Sequence, residues 1–505
     1  MKMVPFIGSS YEHSSIPVSS QRTLNFYPEI VDNQDAKVKV ILVGTEGQKL
    51  YCTITEAVGK EVRGEYTVNV KTDVNGTITG RVFAVVGPYL CEIHGEQDYT
   101  IRGTISDLSS RPSFCHNDEH LVIVDGVDMW TLELSTNTLQ EVNLPFTNPI
   151  AVKYVNERVI CINEDPTLDV VRNYNKFYYS GVNDARSWDA LQWYNSQGEA
   201  DPIIALEKKE GEIWLHGPAS YEVWRANDNG ADPFSRVGGS FGEIGIGAKF
   251  GSTSLANNVY WLGSSAVGKN QIFMSSGNYG ATRISTHAIE SELNKITSTR
   301  DCVAWTYQRN GHPFVIFNFI SGNQTWVYSP LTNMWHERGT RDPNSNIVNR
   351  WAPTVATYGN EQVLVGSSTG PNILLLDPDT YTDYSEESAD NTIPIIRERK
   401  SPVYWDNLST MVYKEITLDM EVGVGLQPNV QGQVPVISLI AYRDGGYSKG
   451  REVSKPIGKV GERNTRVQWR RQGRSRNMVL SVRLTDPVKP TLIGMRISTE
   501  RLNNT

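Results

Sequence analysis

Four arginines and a tryptophan are gathered near the C-terminus of this 505-residue chain. The candidate contact residues are Trp469, Arg470, Arg471, Arg474 and Arg476. Guanidinium groups bind carboxylates and phosphates through paired hydrogen bonds, and a tryptophan ring can stack. In a strand, Arg470, Gln472 and Arg474 would point one way and Arg471 and Ser475 the other. The run predicts a contact with an acidic protein neighbour, a solvated basic face, or a DNA contact that reads no sequence.

A second group of potential ligands is Cys115–His120 (CHNDEH), which holds a thiol, two imidazoles and two carboxylates. It leads directly into the apolar strand Leu121–Val124, where neighbouring side chains point to opposite faces. A zinc site needs four convergent ligands, and the sequence contains no second ligand cluster. We therefore expect a polar turn here and no metal.

Other patterns give no catalytic signal. Gly242–Gly251 (GEIGIGAKFG) fits neither of the phosphate-loop motifs GxGxxG and GxxxxGK(S/T), and it lies among strands. A glycine-rich turn between repeats is therefore expected. The acidic pairs Asp377/Asp379 and Glu386/Glu387 could act in a glycosidase, but they fall in a presumed linker. None of the eight histidines belongs to a nucleophile motif. The sequence predicts no catalytic residue and no cofactor, and hence no enzyme.

The middle of the chain repeats one pattern, an apolar strand, a tight turn and a second apolar strand. The seven copies are Arg81–His94, His120–Leu134, Arg158–Val182, Glu212–Ala226, Asn258–Ser275, His312–Pro330 and Gln362–Thr380. A spacing of about 40–50 residues with several strands per repeat is typical of β-propeller blades. No WD or kelch signature recurs at this spacing, so the pattern predicts a divergent propeller of about seven blades.

The rest of the chain divides around this propeller. Residues 1–50 contain Pro5, Pro17 and Pro28 and should be extended, packing on the C-terminal domain. The propeller is expected over 51–380, an acidic surface linker over 381–392, and a β-sandwich or barrel over 393–505. One helix is expected at Thr286–Ile296, capped by Ser285 or Thr286. The predicted fold class is all-β.

Composition agrees with a folded protein made in a cytoplasm. The N-terminus lacks the apolar core of a signal peptide, and the five cysteines form no CxxC pair, which favours buried reduced thiols. The net charge of −8 is uneven. Residues 449–501 hold fourteen Lys or Arg and four Asp or Glu, a balance of +10, so the other residues carry 34 basic and 52 acidic groups, or −18. An acidic body resists adhesion to nucleic acid, whereas the basic segment suits a polyanion or an acidic neighbour.

Several motifs, in order along the chain, resemble one family of short-tailed bacteriophages. They are QRTLNFYPE (21–29), GTEGQKL (44–50), WLG (261–263), RISTHAIE (283–290), TYQRNGHPF (306–314), TWVYSPLTNMWHER (325–338), DGGYS (444–448), WRRQGRSRN (469–477) and DPVKPTLIG (486–494). The family is that of the packaged-DNA stabilisation proteins, also called tail hub or nozzle proteins. Its turn GTPG appears here as Gly44–Gly47 with Glu46 in place of proline.

The resemblance implies a structural role in the virion tail. Members form a ring, usually a hexamer, below the portal and adaptor ring. They close the channel after packaging, often with a needle or plug protein and beside fibres or spikes, and release the genome at infection. Packaged double-stranded DNA would pass through the ring without sequence-specific contact, with acidic walls letting it slide, and no membrane anchor is expected.

An alternative from another class is a tail-associated propeller that hydrolyses or binds host-surface glycans. Such a hydrolase needs two carboxylates about 5–10 Å apart near the central channel. The sequence cannot place two such groups together.

Overall fold

The computed structural model describes residues 2–72, 78–107, 110–164, 175–199, 201–227, 232–265, 268–309, 311–388, 390–407, 409–428 and 430–502. The N-terminal region supplies six strands, which are β1 (Lys2–Val4), β2 (Tyr11–Glu12), β3 (Ser20–Leu24), β4 (Phe26–Ile30), β5 (Val40–Gly44) and β6 (Gly47–Thr53). No helix among these residues is long and apolar enough to cross a membrane.

Antiparallel sheets of four or five strands follow, each forming one blade. The first three blades contain β7 (Val62–Thr72), β8 (Ile78–Val86), β9 (Tyr89–Gly95) and β10 (Asp98–Thr104); β11 (Ser113–His116), β12 (His120–Val124), β13 (Met129–Glu133) and β14 (Thr138–Val142); and β15 (Pro149–Val155), β16 (Arg158–Asn163), β17 (Lys176–Tyr179) and β18 (Trp193–Asn195). Blades 4 and 5 contain β19 (Ala205–Lys209), β20 (Glu212–His216), β21 (Tyr221–Ala226) and β22 (Phe234–Arg236); and β23 (Gly245–Ile246), β24 (Ser252–Leu255), β25 (Asn258–Ser264), β26 (Lys269–Ser275) and β27 (Ala281–Arg283).

Blade 6 contains β28 (Cys302–Arg309), β29 (His312–Phe319), β30 (Gln324–Ser329) and β31 (Met334–Glu337), followed by a hairpin of β32 (Gly339–Arg341) and β33 (Val348–Arg350). Blade 7 contains β34 (Val355–Gly359), β35 (Gln362–Gly366) and β36 (Asn372–Asp377), and its fourth strand is β6 from the N-terminal region. The innermost strands touch in sequence around a ring, and β34 of blade 7 touches β7 of blade 1. The ring therefore closes with seven blades, and its last sheet is completed by the start of the chain.

Each repeat found in the sequence corresponds to the two middle strands of a blade. Asn258–Ser275, for example, contains β25 and β26, which pair along their length. Residues 165–174 of the third copy lie outside the described residues. The buried faces of these strands pack between neighbouring blades, as Trp214 of blade 4 does against Trp261 of blade 5. The prediction of a divergent propeller is confirmed.

In the part of the chain that the structure describes, the single α-helix is α1 (His287–Leu293), which lies between blades 5 and 6. The Thr286 hydroxyl accepts a hydrogen bond from the backbone N–H of Ile289, as an N-cap does. Ile289 and Leu293 are buried against blades 5 and 6. The helix and its cap occur where they were predicted, although the helix ends three residues earlier. The described residues also contain three short 3-10 turns, at Thr55–Ala57, Gly277–Tyr279 and Asp444–Gly446.

The C-terminal strands build a β-sandwich with strands of the N-terminal region. They are β37 (Thr382–Tyr384), β38 (Thr392–Pro394), β39 (Arg397–Lys400), β40 (Tyr404–Trp405), β41 (Met411–Met420), β42 (Val436–Arg443), β43 (Ser448–Pro456), β44 (Val467–Ser475), β45 (Asn477–Leu484) and β46 (Thr491–Arg501). One sheet has the order β4-β5-β46-β41-β44, with β1 beside β46, and the other contains β3-β39-β45-β42-β43. A common core containing Phe26, Ile416 and Leu480 lies between them. A sandwich rather than a barrel thus follows the propeller.

The two domains share backbone pairing. Strand β31 of blade 6 lies parallel to β3 at Glu337 and Leu24, and β3 pairs with β39 of the sandwich. Blade 6 and one sandwich sheet therefore form a continuous sheet of eleven strands. These pairings show which segments associate, whereas the division of the chain at residues 50, 380 and 392 stays a prediction.

The acidic segment 381–392 differs from an exposed linker. Strands β37 and β38 form a hairpin within it, and the carboxylate of Asp383 is buried. Burial raises the pKa of Asp383 to about 7, although the nearby guanidinium groups of Arg338 and Arg397 offset part of the effect. Asp383 is an exception to the expected acidic surface, because sequence composition does not reveal that these arginines lie alongside, whereas Glu386, Glu387 and Asp390 are exposed.

Candidate interface on the C-terminal domain

The predicted basic run occupies β44, the last strand of its sheet. Among the described residues β44 pairs with β41 alone, so its other edge has no strand partner. Glu415 lies opposite Arg470 and Val412 opposite Arg474, on the face directed away from the sandwich core. Arg470 and Arg474 therefore share the outer face, as the alternation predicted. Ser475 points inward and is buried.

A bulge interrupts this strand between the two outer arginines. Arg471 has φ 57° and Gly473 has φ 87°, and the register with β41 shifts between Tyr413 and Glu415. A bulge adds a residue that falls out of the two-residue alternation. Arg471 is consequently exposed beside Arg470 instead of pointing into the core.

Trp469 is not part of the surface, which corrects its prediction as a contact residue. Its side chain is 1% exposed, and its indole Nε1–H donates a hydrogen bond to the carbonyl oxygen of Val453 at 2.7 Å. Ile416 lies opposite it in the same core. Trp469 thus ties β44 to β43 across the edge of the sandwich and cannot stack on a partner. The alternation of Val467 and Trp469 was the available sequence signal for an inward face.

The remaining arginines form an exposed cationic surface, which we call the basic edge: Arg470, Arg471, Arg474 and Arg476. Arg470 lies 3.4 Å from the Glu415 carboxylate, and its side chain is 73% exposed. Among the described residues, the guanidinium groups of the other three have no ion-pair or hydrogen-bond partner. Strand β43, which carries exposed Lys449 and Arg451, touches β44 at this edge. Unpaired cations on an open strand edge can bind an acidic partner without first breaking internal ion pairs.

Two exposed aromatic residues beside the basic edge were missed by the sequence reasoning. Trp405 is 62% exposed and lies opposite Asn477, the neighbour of Arg476. Tyr447 is 66% exposed and follows the 3-10 turn that touches β45. Trp, Tyr and Arg are the residues most enriched at interface centres. Trp405 and Tyr447 are 42 residues apart in the sequence, so only the fold reveals the group.

A buried ionic cluster holds the turn Gly44–Gly47 at the domain junction. The Glu46 carboxylate is 1% exposed and accepts hydrogen bonds from Arg338 at 2.8 Å, from the Tyr307 hydroxyl at 3.0 Å and from Arg309. Burial alone would raise the pKa of Glu46, but the two guanidinium groups outweigh it and hold that pKa at about 2. The Arg338 guanidinium also lies 3.5 Å from the centre of the Trp351 ring. Glu46 therefore anchors blade 6 to the junction.

The glycines of the same turn are required by close packing. A Cβ atom on Gly47 would lie 2.1 Å from the carbonyl oxygen of Thr382, and one on Gly44 would lie 2.6 Å from Pro490 Cδ. Neither space admits a side chain. The glycines of the motif therefore let β5 and β6 pass between the hairpin and the sandwich.

The other chemical candidates do not converge on a site. Cys115 and His116 lie on β11 and His120 on β12, and His116 Nδ1 is hydrogen-bonded to the Tyr66 hydroxyl at 2.8 Å. Within the described ranges, no three His, Cys, Asp or Glu residues are grouped to hold a metal. The five cysteines are buried and free, as expected.

The remaining two patterns also have structural roles. Gly242–Gly251 connects blades 4 and 5 and includes the short strand β23, where a Cβ on Gly245 would lie 2.2 Å from the Pro218 backbone. Asp377 is paired with Lys49, and Glu386 accepts a hydrogen bond from Asn372. These acidic groups are therefore engaged in packing contacts.

The fold and the site together define a two-domain all-β protein that presents charged edges on a rigid frame. Two family models match the sequence in the same order, "Bacteriophage P22 Gp10, beta-propeller" over residues 30–381 and "Bacteriophage P22 Gp10, beta-sandwich" over residues 396–500. The chain belongs to the bacteriophage P22 Gp10 family, the packaged-DNA stabilisation or tail nozzle proteins. The resemblance drawn from the sequence motifs is confirmed, and with it the assignment to a structural tail family.

Solved structures are similar in fold at low identity. The WD40 domain of Neurospora crassa Pan2 has 9% identity and a TM-score of 0.42, covering 66% of this chain and 95% of that domain. The N-terminal domain of Nup159 has 9% identity and a TM-score of 0.42, covering 70% and 98%. The extracellular domain of BT4673 from B. thetaiotaomicron has 8% identity and a TM-score of 0.43. The match covers 67% of this chain but only 41% of that domain. No curated protein matches the sequence.

Proposed function

We propose that this protein forms a ring at the far end of a short phage tail, with six copies as is usual in the family that it resembles. There it closes the tail channel, retains packaged double-stranded DNA and takes part in genome ejection. The match of both domains to the Gp10 family, in order and over residues 30–381 and 396–500, carries this proposal. Partners on this account are the adaptor ring, a needle or plug, and fibres or spikes.

The backbone continuity between the domains supports a role as a rigid closure. Blade 6 and one sandwich sheet together form a single sheet of eleven strands. The ion pairs of Glu46 with Arg309 and Arg338 add further contacts at the junction. A packaged genome presses outward on whatever closes the channel. A frame whose domains are joined by hydrogen-bonded strands resists that load better than two domains on a flexible linker.

The basic edge suits a contact with an acidic neighbour, either the adjacent copy or the adaptor ring. Closed rings use heterologous contacts, in which one patch of a subunit meets a different patch of the next. The balance of +10 over residues 449–501 against −18 elsewhere gives one chain two regions of opposite net charge. DNA is the less favoured partner because each fixed cation–phosphate contact would slow its passage.

The role is tested with particles assembled in cells that lack this protein. Such particles should package DNA and then lose it, whereas particles with the protein keep it. Particles that keep their DNA without the protein, but fail to bind or degrade host polysaccharide, would instead indicate the glycan-processing alternative.

A further inference from the structure

The centre of the propeller contains a cavity of about 290 Å³. Its walls come from all seven blades, from Tyr66 on β7 through Ser252 on β24 to Ala356 on β34. Pockets of this size lie at the lower end of the range that holds small molecules. The cavity therefore fits a compact ligand and is separate from the basic edge.

The charge of this cavity is opposite to that of the whole chain. Three cations line it, Arg111, Lys153 and Lys249, and one carboxylate, Glu207. The formal charge of the lining is thus +2, in a chain of net charge −8. The three cations come from the segments before β11, on β15 and before β24, so three separate blades direct positive charge to one space.

Two of these cations already have carboxylate partners. Lys153 lies 3.1 Å from Glu207, which also accepts a hydrogen bond from Ser252 at 2.9 Å, and Lys249 lies 2.7 Å from Glu164 outside the cavity. Arg111 differs, because no carboxylate of the described residues lies within ion-pair distance of it; the buried Glu65 on β7 interacts with its charge but accepts no hydrogen bond from it. One of its N–H groups donates to the carbonyl oxygen of Thr354, and its other N–H groups have no acceptor in the described ranges. A guanidinium with free donors in a concave site is suited to an oxyanion.

The rest of the lining is mixed in character. Tyr66 and Phe114 are stacked with their ring centres 5.6 Å apart, and Ser254 and Thr306 also line the cavity. Aromatic faces with a few hydroxyls are typical of pockets that hold small polar molecules. We propose that the central cavity binds a small oxyanion, a carboxylate or phosphate group carried by a sugar-sized molecule, with Arg111 as the main anion-binding residue.

The test is calorimetric titration of the full-length protein at fixed ionic strength with three probes: sodium glucuronate, sodium phosphate and glucose. We expect binding of at least one anion and none of glucose. Tighter binding of glucuronate would assign a carboxylated sugar, and tighter binding of phosphate would assign a phosphate group. Absence of binding by both anions at millimolar concentration would overturn the proposal.

Variants then locate the site. Arg111→Gln should weaken anion binding about tenfold, since it removes a charge-assisted hydrogen bond. Glu207→Gln should strengthen it about threefold, because it removes the lining's only carboxylate. Lys208→Gln is the matched control, since Lys208 donates to the carbonyl oxygen of Tyr154 and does not line the cavity.

Equal binding by Arg111→Gln and the wild type would overturn the assignment. If Arg111→Gln fails to fold, the position of the bound anion can be determined from a wild-type crystal soaked in sodium selenate. Anomalous density beside Arg111 supports the site, and density found only elsewhere contradicts it.

Discussion

Glu46 shows how a single residue departs from a family pattern while keeping its fold. The resemblance places a proline at this position, whereas this chain places a carboxylate between Arg309 and Arg338. Two guanidinium groups buried without a counter-ion would be costly. The sequence motifs contain both the turn and the two arginines but do not show that they meet, since the arginines follow Glu46 by 263 and 292 residues along the chain.

Replacing Glu46 with glutamine should therefore destabilise the protein strongly. We expect Glu46→Gln to lower the free energy of unfolding by about 3–5 kcal/mol at pH 7, because it leaves two buried cations unpaired. Equilibrium urea unfolding measures the loss. The control Glu500→Gln breaks an exposed pair with Lys414 and should cost less than about 1 kcal/mol. Similar losses in both variants would contradict the account of the junction.

The same contact should depend on pH in a defined direction. The pKa of Glu46 is held at about 2, below the ordinary value of about 4.3, so its stabilisation is complete above pH 4.3 and is lost as pH falls toward 2. The difference between wild type and Glu46→Gln should shrink over that range. Burial lowers the pKa of His216 and His336 to about 3, so the wild type and the variant both weaken in acid through these histidines, and the difference between the two proteins reports on Glu46. A difference that stays constant down to pH 2.5 would contradict this assignment.

Two tryptophans show where residue-level reasoning from sequence fails. Trp469 was placed at the surface because arginines follow it, yet it lies in the core, and Trp405, flanked by Tyr404 and Asp406, is the exposed one. Burial depends on the face of the strand and on the bulge at Arg471, which no composition rule detects.

At the scale of elements, the sequence identified the middle two strands of all seven blades. Most of those strands are largely buried and contain an apolar run, as β12 and β16 do. The outermost strands were missed because they lie half in solvent, as β10 and β14 do. Strand β6 was missed for a different reason, since its pairing with β36 joins residues more than 300 positions apart.

The basic edge leads to a prediction about assembly. The double variant Arg470→Glu with Arg471→Glu should not enter tails, because it places negative charge against an acidic neighbour. Both side chains are exposed, so far-UV circular dichroism and the melting temperature of the isolated protein should be unchanged. Electron microscopy of purified particles measures incorporation.

A matched control changes the same charge elsewhere. Lys269 and Arg300 are exposed cations of the propeller, and Lys269→Glu with Arg300→Glu should assemble normally. Normal incorporation of the β44 variant, or an equal defect in both, would remove the basic edge as the interface.

At the scale of the whole molecule, the propeller depends on the start of the chain. Strand β6 is the outermost strand of blade 7, so deletion of residues 1–53 should leave the edge of β36 open, and it also removes β3, β4 and β5 from the sandwich. We expect this truncation to aggregate or to lose cooperative thermal unfolding. Deletion of residues 1–4 removes only the largely exposed β1 and should melt as one transition near the wild-type temperature.

Limited proteolysis provides a second readout of closure. The seven blades should resist cleavage in the shorter deletion and become susceptible in the longer one. A truncation from residue 54 that melts like the wild type would show that the ring closes without β6.

The central claim, that this protein retains the packaged genome, is tested most directly by DNA content. Particles assembled without it would be measured for DNA before and after addition of the purified protein. The account predicts that capsids fill and then leak, and that the added wild type, but not the Arg470→Glu and Arg471→Glu variant, restores retention and infectivity. Particles that hold their DNA without the protein would contradict it.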